Sequence, residues 1–122
     1  MDEKTALDCL AALSQSTRLQ TCRLLVAHEP EGIAAGEIAR LSDVPQNTMS
    51  SHLTTLSHCG LVRRERRSRS IIYRADIERF RALLVYLMQD CCGGKPEICA
   101  PVVAEIKPYR PPAAKRKERQ RA

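Results

Sequence analysis

The chain has 122 residues, 43% of them hydrophobic, with three Tyr, one Phe and no Trp, which fits one small domain with an aliphatic core of packed helices. Its net charge of +6 is concentrated in six Arg between Arg63 and Arg74 and seven Lys or Arg after residue 104, which points to a polyanionic partner. No apolar stretch is long enough for a membrane helix, and the first residues lack a signal-peptide pattern, so we expect a cytoplasmic protein.

Helical spacing of apolar residues predicts four short helices in the first half of the chain. The predicted ranges are 5–14, Ser16 to about His28, 35–41 and Pro45–Ser57. Ser16 or Thr17 is a candidate cap for the second helix, and Pro45 suits the first turn of the fourth. Gly60 is expected to end the fourth helix in a left-handed conformation.

The pattern then changes to short segments rich in Arg and β-branched residues. Leu61–Arg66 and Ser70–Arg74, joined at residues 67–69, predict a hairpin, and residues 76–90 predict a last helix that Gly93-Gly94 stops. The sequence therefore predicts a mainly α protein with a small β-hairpin, a winged helix-turn-helix. We expect this domain to span residues 1–104, with 105–122 a basic, Pro-rich, disordered tail.

The helix from Pro45 to Ser57 has the two faces that a DNA-reading helix requires. Met49, Leu53 and Leu56 form an apolar stripe. Its other positions carry short polar side chains that can reach base edges and phosphates: Gln46, Asn47, Thr48, Ser50, Ser51 and His52. An ordinary surface helix is also polar outside, but here an Arg-rich hairpin follows directly.

The hairpin contributes Arg63, Arg64, Arg66, Arg67, Arg69 and Arg74. Strand alternation sends them to different faces, so only some can contact DNA. Arg67 and Arg69 lie nearest the tip and are the best candidates for phosphate or minor-groove contacts. The alternative is a solubilising strand that pairs with Glu65 or other acids. The tail bases can contact phosphates or remain solvated.

Two segments resemble a bacterial family. Ser16-Thr17-Arg18-Leu19 is similar to the opening of the family's second helix, and residues 44–62 read Val-Pro-Gln-Asn-Thr-Met-Ser-Ser-His-Leu-Thr-Thr-Leu-Ser-His-Cys-Gly-Leu-Val. With the tyrosine in the second wing strand, these segments resemble the ArsR/SmtB family of metal-responsive bacterial repressors over about residues 5–90. The wing tip, Arg67-Ser68-Arg69, lacks the glycine frequent in the family.

The resemblance implies a homodimer built through the first and last helices. The sequence supports this independently, because the last helix carries a wider apolar stripe than so small a monomer can cover. The expected dimerisation residues are Leu7, Leu10, Phe80, Leu83, Leu84 and Leu87. A two-fold dimer places two recognition helices about one DNA turn apart, so the operator is expected to be double-stranded DNA with an inverted repeat.

Three cysteines, Cys91, Cys92 and Cys99, lie close together after the last predicted helix. No His or fourth Cys lies nearby in sequence, whereas zinc prefers four ligands. Three thiolates instead suit a soft trivalent ion, arsenic(III) or antimony(III). Members of the resembled family bind metals through a Cys-x-Cys pair before the recognition helix, or through Asp and His on the last helix. This chain lacks both patterns, so its triad is similar to an arsenite-type alternative.

The expected function is an arsenic(III)-responsive repressor that leaves its operator when the triad binds metalloid. A thiol redox sensor of the same fold, with a disulfide from Cys99 to Cys91 or Cys92, is the first alternative. The second is a small arsenic-handling enzyme or metal carrier, although the sequence has no acid/base pair, nucleophile–base pair or phosphate-binding loop that would support catalysis. Cys9, Cys22 and Cys59 are interpreted as packing residues.

Overall fold

A computed structural model describes residues 1–92 and 95–106, with the backbone alone described at positions 90–92, 96 and 99. The elements in chain order are α1 (Glu3–Leu13), α2 (Ser16–Ala27), β1 (Ile33–Ala34), α3 (Ala35–Ser42), α4 (Gln46–His58), β2 (Val62–Arg67), β3 (Ser70–Ala75), α5 (Ile77–Cys92) and α6 (Pro96–Ala104). The mainly helical architecture with a small sheet confirms the predicted winged helix-turn-helix, in which α3 and α4 are the helix-turn-helix pair and β2–β3 the wing.

The sheet has three antiparallel strands in the order β1-β3-β2. In the wing, Val62 is paired with Ala75 and Arg67 with Ser70, which leaves a two-residue turn of Ser68 and Arg69. Ser68 has a φ of 58°, so a non-glycine residue takes the left-handed conformation at this turn. The short strand β1, paired with β3 through Ile33 and Tyr73, is absent from the prediction because two residues show no alternation.

The core lies between the helices and one face of the sheet. Its largest fully buried apolar side chains come from three helices, α2, α3 and α4, and from the loop after α4: Leu25, Ile38, Met49, Leu53, Leu56 and Leu61. The predicted apolar stripe of the recognition helix is thereby confirmed. In the part of the chain that the structure describes, no helix has both the length and the apolar character needed to cross a membrane.

Helix ends show where local sequence signals succeeded and failed. Gly60 has a φ of +86° and follows α4, as predicted, and its missing Cβ leaves room for the guanidinium of Arg79. The expected cap at Ser16 or Thr17 is wrong, because Gln15 caps α2 by accepting the backbone N–H of Arg18 at 2.8 Å.

The chain after α5 differs from the prediction. Pro96 begins an additional helix, α6, in a segment where the sequence pattern predicts no helix. A proline is well tolerated at the first position of a helix, so Pro96 is compatible with this start. The expected helix stop at Gly93-Gly94 and most of the expected tail, residues 107–122, lie outside the described residues.

Candidate nucleic-acid interface

The recognition helix α4 divides its residues between the core and solvent. Met49, Leu53 and Leu56 are fully buried, which fixes the rotation of the helix about its axis. Five of the predicted DNA-contacting residues are exposed together on the remaining surface: Gln46, Asn47, Thr48, Ser50 and Ser51. These side chains are available for hydrogen bonds to base edges and phosphates, and their contacts with DNA remain predictions.

His52, the sixth predicted residue, is half-buried and has a protein partner. Its Nδ1 lies 3.4 Å from Nη1 of Arg18, while Nε of Arg18 donates to the carbonyl of Ala12 at 2.7 Å. Arg18 therefore joins the end of α1 to the recognition helix. In sequence, Arg18 shows only as part of the family-like opening of α2, and this contact with α4 is not predictable from it.

The wing separates its arginines by strand face, because residues paired across antiparallel strands share a side of the sheet. On one face, Arg74 makes a bidentate pair with Glu29, at 2.8 and 3.1 Å, and a third bond to Glu65 at 3.2 Å. On the same face, Arg63 lies 3.8 Å from a carboxylate oxygen of Asp76. These arginines are held by carboxylates, and Arg74 is a structural residue.

Arg67 belongs to this paired face as well. It donates to the carbonyl of Glu31 at 2.9 Å and to the carboxylate of Glu65 at 3.2 Å. By contrast, Arg69 at the tip is exposed and has no hydrogen bond or ion pair within the described part of the chain. From sequence, Arg67 and Arg69 are equivalent candidates for DNA contact. In the structure, Arg67 is held by protein acceptors, whereas Arg69 is exposed at the tip.

Arg64 and Arg66 lie on the opposite face of the wing, paired across the strands with Tyr73 and Ile71. Both are exposed, and neither has an ion pair or hydrogen bond among residues 1–92 and 95–106. With Arg69 they form the uncompensated cations of the wing. They are not among the DNA-contacting residues predicted from sequence, because the sequence does not show the strand register that pairs the neighbouring arginines with acids.

The predicted dimerisation residues divide into exposed and buried groups. Leu7 and Leu84 are 56% and 59% exposed, and Leu10 is also exposed, so these three have apolar surface free for a partner. Phe80 and Leu87 are half-buried against the core. Leu83 is only 3% exposed, so its selection as a dimerisation residue is corrected to a core residue.

Further exposed apolar residues extend this surface beyond the prediction. They lie on α5, on α6 and just after it: Val85, Ile98, Val102, Val103 and Ile106. The residues of α6 were missed because no helix was predicted there.

The three C-terminal cysteines occupy two consecutive helices. Cys91 and Cys92 are the last two residues of α5, and Cys99 is the fourth residue of α6. The side chains of these three cysteines lie outside the described residues. The case for the triad therefore rests on the positions of the cysteines on two adjoining helices.

The remaining cysteines meet where α1, α2 and α4 pack together. Cys9 and Cys22 are buried, which confirms their interpretation as packing residues. Burial raises the pKa of the Cys9 thiol to about 11, with a further rise from neighbouring Cys59, and burial raises the pKa of Cys22 to about 12. Within the described part of the chain, no three His, Cys, Asp or Glu residues form a group that could hold a metal ion.

The comparisons with known proteins agree with this architecture. A helix-turn-helix domain family matches residues 13–65. An ArsR-like transcriptional regulator from Rhodococcus sp. RHA1 is similar with a TM-score of 0.67 and 23% identity, over 86% of this chain and 96% of that chain. No curated protein matches the sequence.

A second solved structure carries more sequence similarity. It is the homodimeric winged helix-turn-helix DNA-binding domain of Mb0332 from Mycobacterium bovis, a possible ArsR-family transcriptional regulator, with 28% identity and a TM-score of 0.59 over 71% of this chain and 80% of that chain. The chain is similar to these ArsR-type regulators and shares their winged helix-turn-helix fold. The exposed polar face of α4 fits the recognition helix of that fold.

A third solved protein, HlyU, is similar to this chain in fold. HlyU from Vibrio cholerae N16961 has a TM-score of 0.55 at 24% identity, covering 75% of this chain and 99% of that chain. A reduced form of HlyU is similar as well, with a TM-score of 0.54.

Proposed function

We propose that this chain is an ArsR-family regulator, a homodimeric repressor that binds an inverted-repeat operator and is released by arsenic(III). The observation that carries the proposal is the placement of Cys91 and Cys92 at the end of α5 and Cys99 in α6. Three thiol side chains on two adjoining helices supply three soft ligands within a nine-residue segment. Arsenic(III), and with it antimony(III), is the class of ion that matches this donor set.

The ligand chemistry favours a trivalent metalloid over zinc. A closed zinc site takes four ligands, and the segment offers three sulfur atoms with no histidine after His58. Arsenic(III) bonded to three thiolates needs no fourth ligand, because its lone pair occupies the fourth coordination position. Each chain then holds one metalloid, with all three ligands from the same chain.

The proposed link to DNA runs through α5. Exposed Leu84 lies two turns before Cys91 on the same helix, so the proposed site adjoins the proposed dimer surface. Tying the end of α5 to α6 would change how the two protomers pack and therefore the spacing of their recognition helices. An allosteric coupling of about 1–3 kcal/mol, or 5–150-fold in affinity, is enough for release.

A gel-shift titration with DNA from upstream of the protein's own gene tests the proposal, with and without arsenite. The expected result is a complex that arsenite dissociates in the wild type but not in the Cys91→Ser, Cys92→Ser or Cys99→Ser variant. Cys22→Ala is the matched control, since that cysteine is buried in the core and should leave the response intact. Release of the variant with all three Ser substitutions by arsenite would overturn the assignment.

A thiol redox sensor with the same fold is the second candidate function. This candidate is supported by the similarity to HlyU, one structure of which is of its reduced form. In that case Cys99 forms a disulfide with Cys91 or Cys92 on oxidation. Mass spectrometry after mild oxidation, compared with arsenite titration of the reduced protein, separates the two signals.

A further inference from the structure

We propose that Cys59 and Cys9 form a second thiol site, in which a hydroperoxide oxidises Cys59 and Cys9 then closes a disulfide. Cys59 caps α4 at its C-terminal end and is half-buried. Cys9, on α1, is fully buried and donates its thiol to the carbonyl oxygen of Cys59 at 3.4 Å. The fold thus brings together two cysteines that are fifty positions apart in sequence.

Access to the pair is from the side of Cys59. This residue lines a surface cleft of about 320 Å³ between α1 and α4, together with Arg18, Thr55 and His58. The thiol of Cys59 donates to the carbonyl of Leu56 at 3.3 Å, a weak bond that a rotation about its Cα–Cβ bond breaks. A small peroxide can therefore reach Cys59 first, whereas Cys9 is reached only through Cys59.

A positive charge lies beside the pair. The guanidinium of Arg79 packs over Gly60, the residue after Cys59, so closely that a Cβ there would be 2.7 Å from Nε. The backbone N–H of Arg79 donates to the Asp76 carboxylate at 3.1 Å, which holds the start of α5 in place. The charge of Arg79 acts to lower the pKa of the Cys9 thiol, against the larger rise that burial causes.

The reaction balances in two steps. The Cys59 thiolate attacks the terminal oxygen of the hydroperoxide ROOH, the O–O bond breaks, and a sulfenic acid forms at Cys59 as RO⁻ takes a proton to leave as ROH. The sulfur of Cys9 then attacks the sulfenic sulfur, the S–O bond breaks, and water leaves with the Cys9 proton. Overall, two thiols are oxidised to one disulfide and one peroxide is reduced.

The disulfide would tie α1 to the end of the recognition helix. The backbone there is set by the N–H of Gly60 donating to Ser57 and that of Leu61 donating to Leu56, both at 3.1 Å. Pulling Cys59 toward Cys9 strains this cap and shifts α4 relative to its partner in a dimer. We expect operator affinity to fall about tenfold, within the 5–150-fold range of allosteric couplings.

The test uses the full chain with Cys91, Cys92 and Cys99 changed to Ser, treated with one equivalent of hydrogen peroxide. The expected result is the loss of two free thiols and a peptide linked between Cys9 and Cys59 in mass spectrometry. Operator binding should weaken and recover on addition of dithiothreitol. Because disulfide mapping needs neither metalloid nor DNA, its outcome is independent of the proposed arsenic response.

Matched variants in the same background make the result decisive. Cys59→Ser should abolish both thiol loss and the change in operator binding, and Cys22→Ala should retain both. Cys9→Ala should stop the reaction at a Cys59 sulfenic acid that dimedone traps. A Cys59 that stays reduced, that is oxidised without linkage while Cys9 is present, or that links to Cys22 instead would overturn the proposal.

Discussion

Nη1 of Arg18 on α2 lies 3.4 Å from Nδ1 of His52 on the recognition helix. A guanidinium has donors but no acceptor, so Nδ1 must accept and the ring proton is carried by Nε2. Nε2 has no hydrogen-bond partner among the described residues and is not a buried unpaired atom, so it is open to solvent. Arg18 thereby presents His52 as a hydrogen-bond donor, suited to a phosphate oxygen or to the acceptors of guanine.

Arg18→Met should remove the hydrogen bond to Nδ1 of His52 while keeping a side chain of similar shape near the ring. We expect operator affinity to fall about 5–10-fold, or about 1–1.4 kcal/mol, as one hydrogen bond loses its preset geometry. Nitrogen NMR of the His52 ring should show its proton distributed over both nitrogens rather than held at Nε2. Arg18→Lys, which keeps a donor, should recover part of the affinity. Unchanged ring spectra and affinity in Arg18→Met would refute the assignment.

The recognition helix could be predicted from sequence because its signals are local. The spacing of Met49, Leu53 and Leu56 fixed the buried face, and Gly60 fixed the end of the helix. The partners of the wing arginines could not be predicted, because Arg74 meets Glu29 across forty-five positions of the sequence. Only the strand register shows which arginines of the wing are already neutralised.

The cysteines show the same division between local and long-range information. Cys91, Cys92 and Cys99 are neighbours in sequence, so their grouping could be read directly. The contact between Cys9 and Cys59 depends on how α1 packs against α4, which no spacing rule predicts. Leu83 was misassigned for a related reason, since a wide apolar stripe does not reveal which part faces the chain's own core.

Arg69→Ala should weaken binding to operator and unrelated DNA to a similar extent. Arg69 has no ion-pair partner among the described residues and is free to contact a phosphate, so its loss should reduce the slope of log affinity against log salt by about 0.9. Arg81→Ala, on α5, is the control because that arginine pairs with Glu78. An Arg69→Ala variant with unchanged affinity and slope would show that the wing tip does not contact DNA.

Arg74→Ala should reduce the stability of the fold rather than the number of phosphate contacts. Its bonds to Glu29 and Glu65 are internal, so we expect a lower melting temperature with no change in the salt slope of DNA binding. Thermal unfolding and fluorescence anisotropy on the same samples provide both measurements. A reduced slope without loss of stability would assign Arg74 to the DNA contact instead.

Leu84→Glu should dissociate the dimer while leaving each protomer folded. Leu84 is 59% exposed in the single chain, so the glutamate is solvated in the monomer but would lie unpaired in a dimer interface, at a cost of several kcal/mol. Sedimentation should show a monomer with unchanged circular dichroism. Leu83→Ala, one position earlier, should instead lower the free energy of unfolding by about 2–5 kcal/mol, because Leu83 is in the core. A Leu84→Glu protein that remains dimeric would exclude this surface as the interface.

Glu65 should make the stability of the wing dependent on acid pH. Hydrogen bonds from Arg74 and then Arg67 lower the pKa of Glu65 below its ordinary value of 4.5. A carboxyl with a lowered pKa in the folded state adds stability that is complete above its unfolded pKa and is lost as the pH falls through the folded pKa. Acidification from about pH 7 to about pH 3 should therefore destabilise the wild type more than Glu65→Gln.

The same substitution should have a second, independent effect at neutral pH. Glu65→Gln removes a negative charge that now holds Arg67, so Arg67 becomes available to a phosphate and binding to unrelated DNA should tighten. Melting temperatures across the pH range and anisotropy titrations at two salt concentrations measure the two effects. Glu78→Gln is the control, since Glu78 pairs with Arg81 on α5, away from the wing. If Glu65→Gln keeps the wild-type pH dependence and DNA affinity, Glu65 neither stabilises the wing nor restrains Arg67.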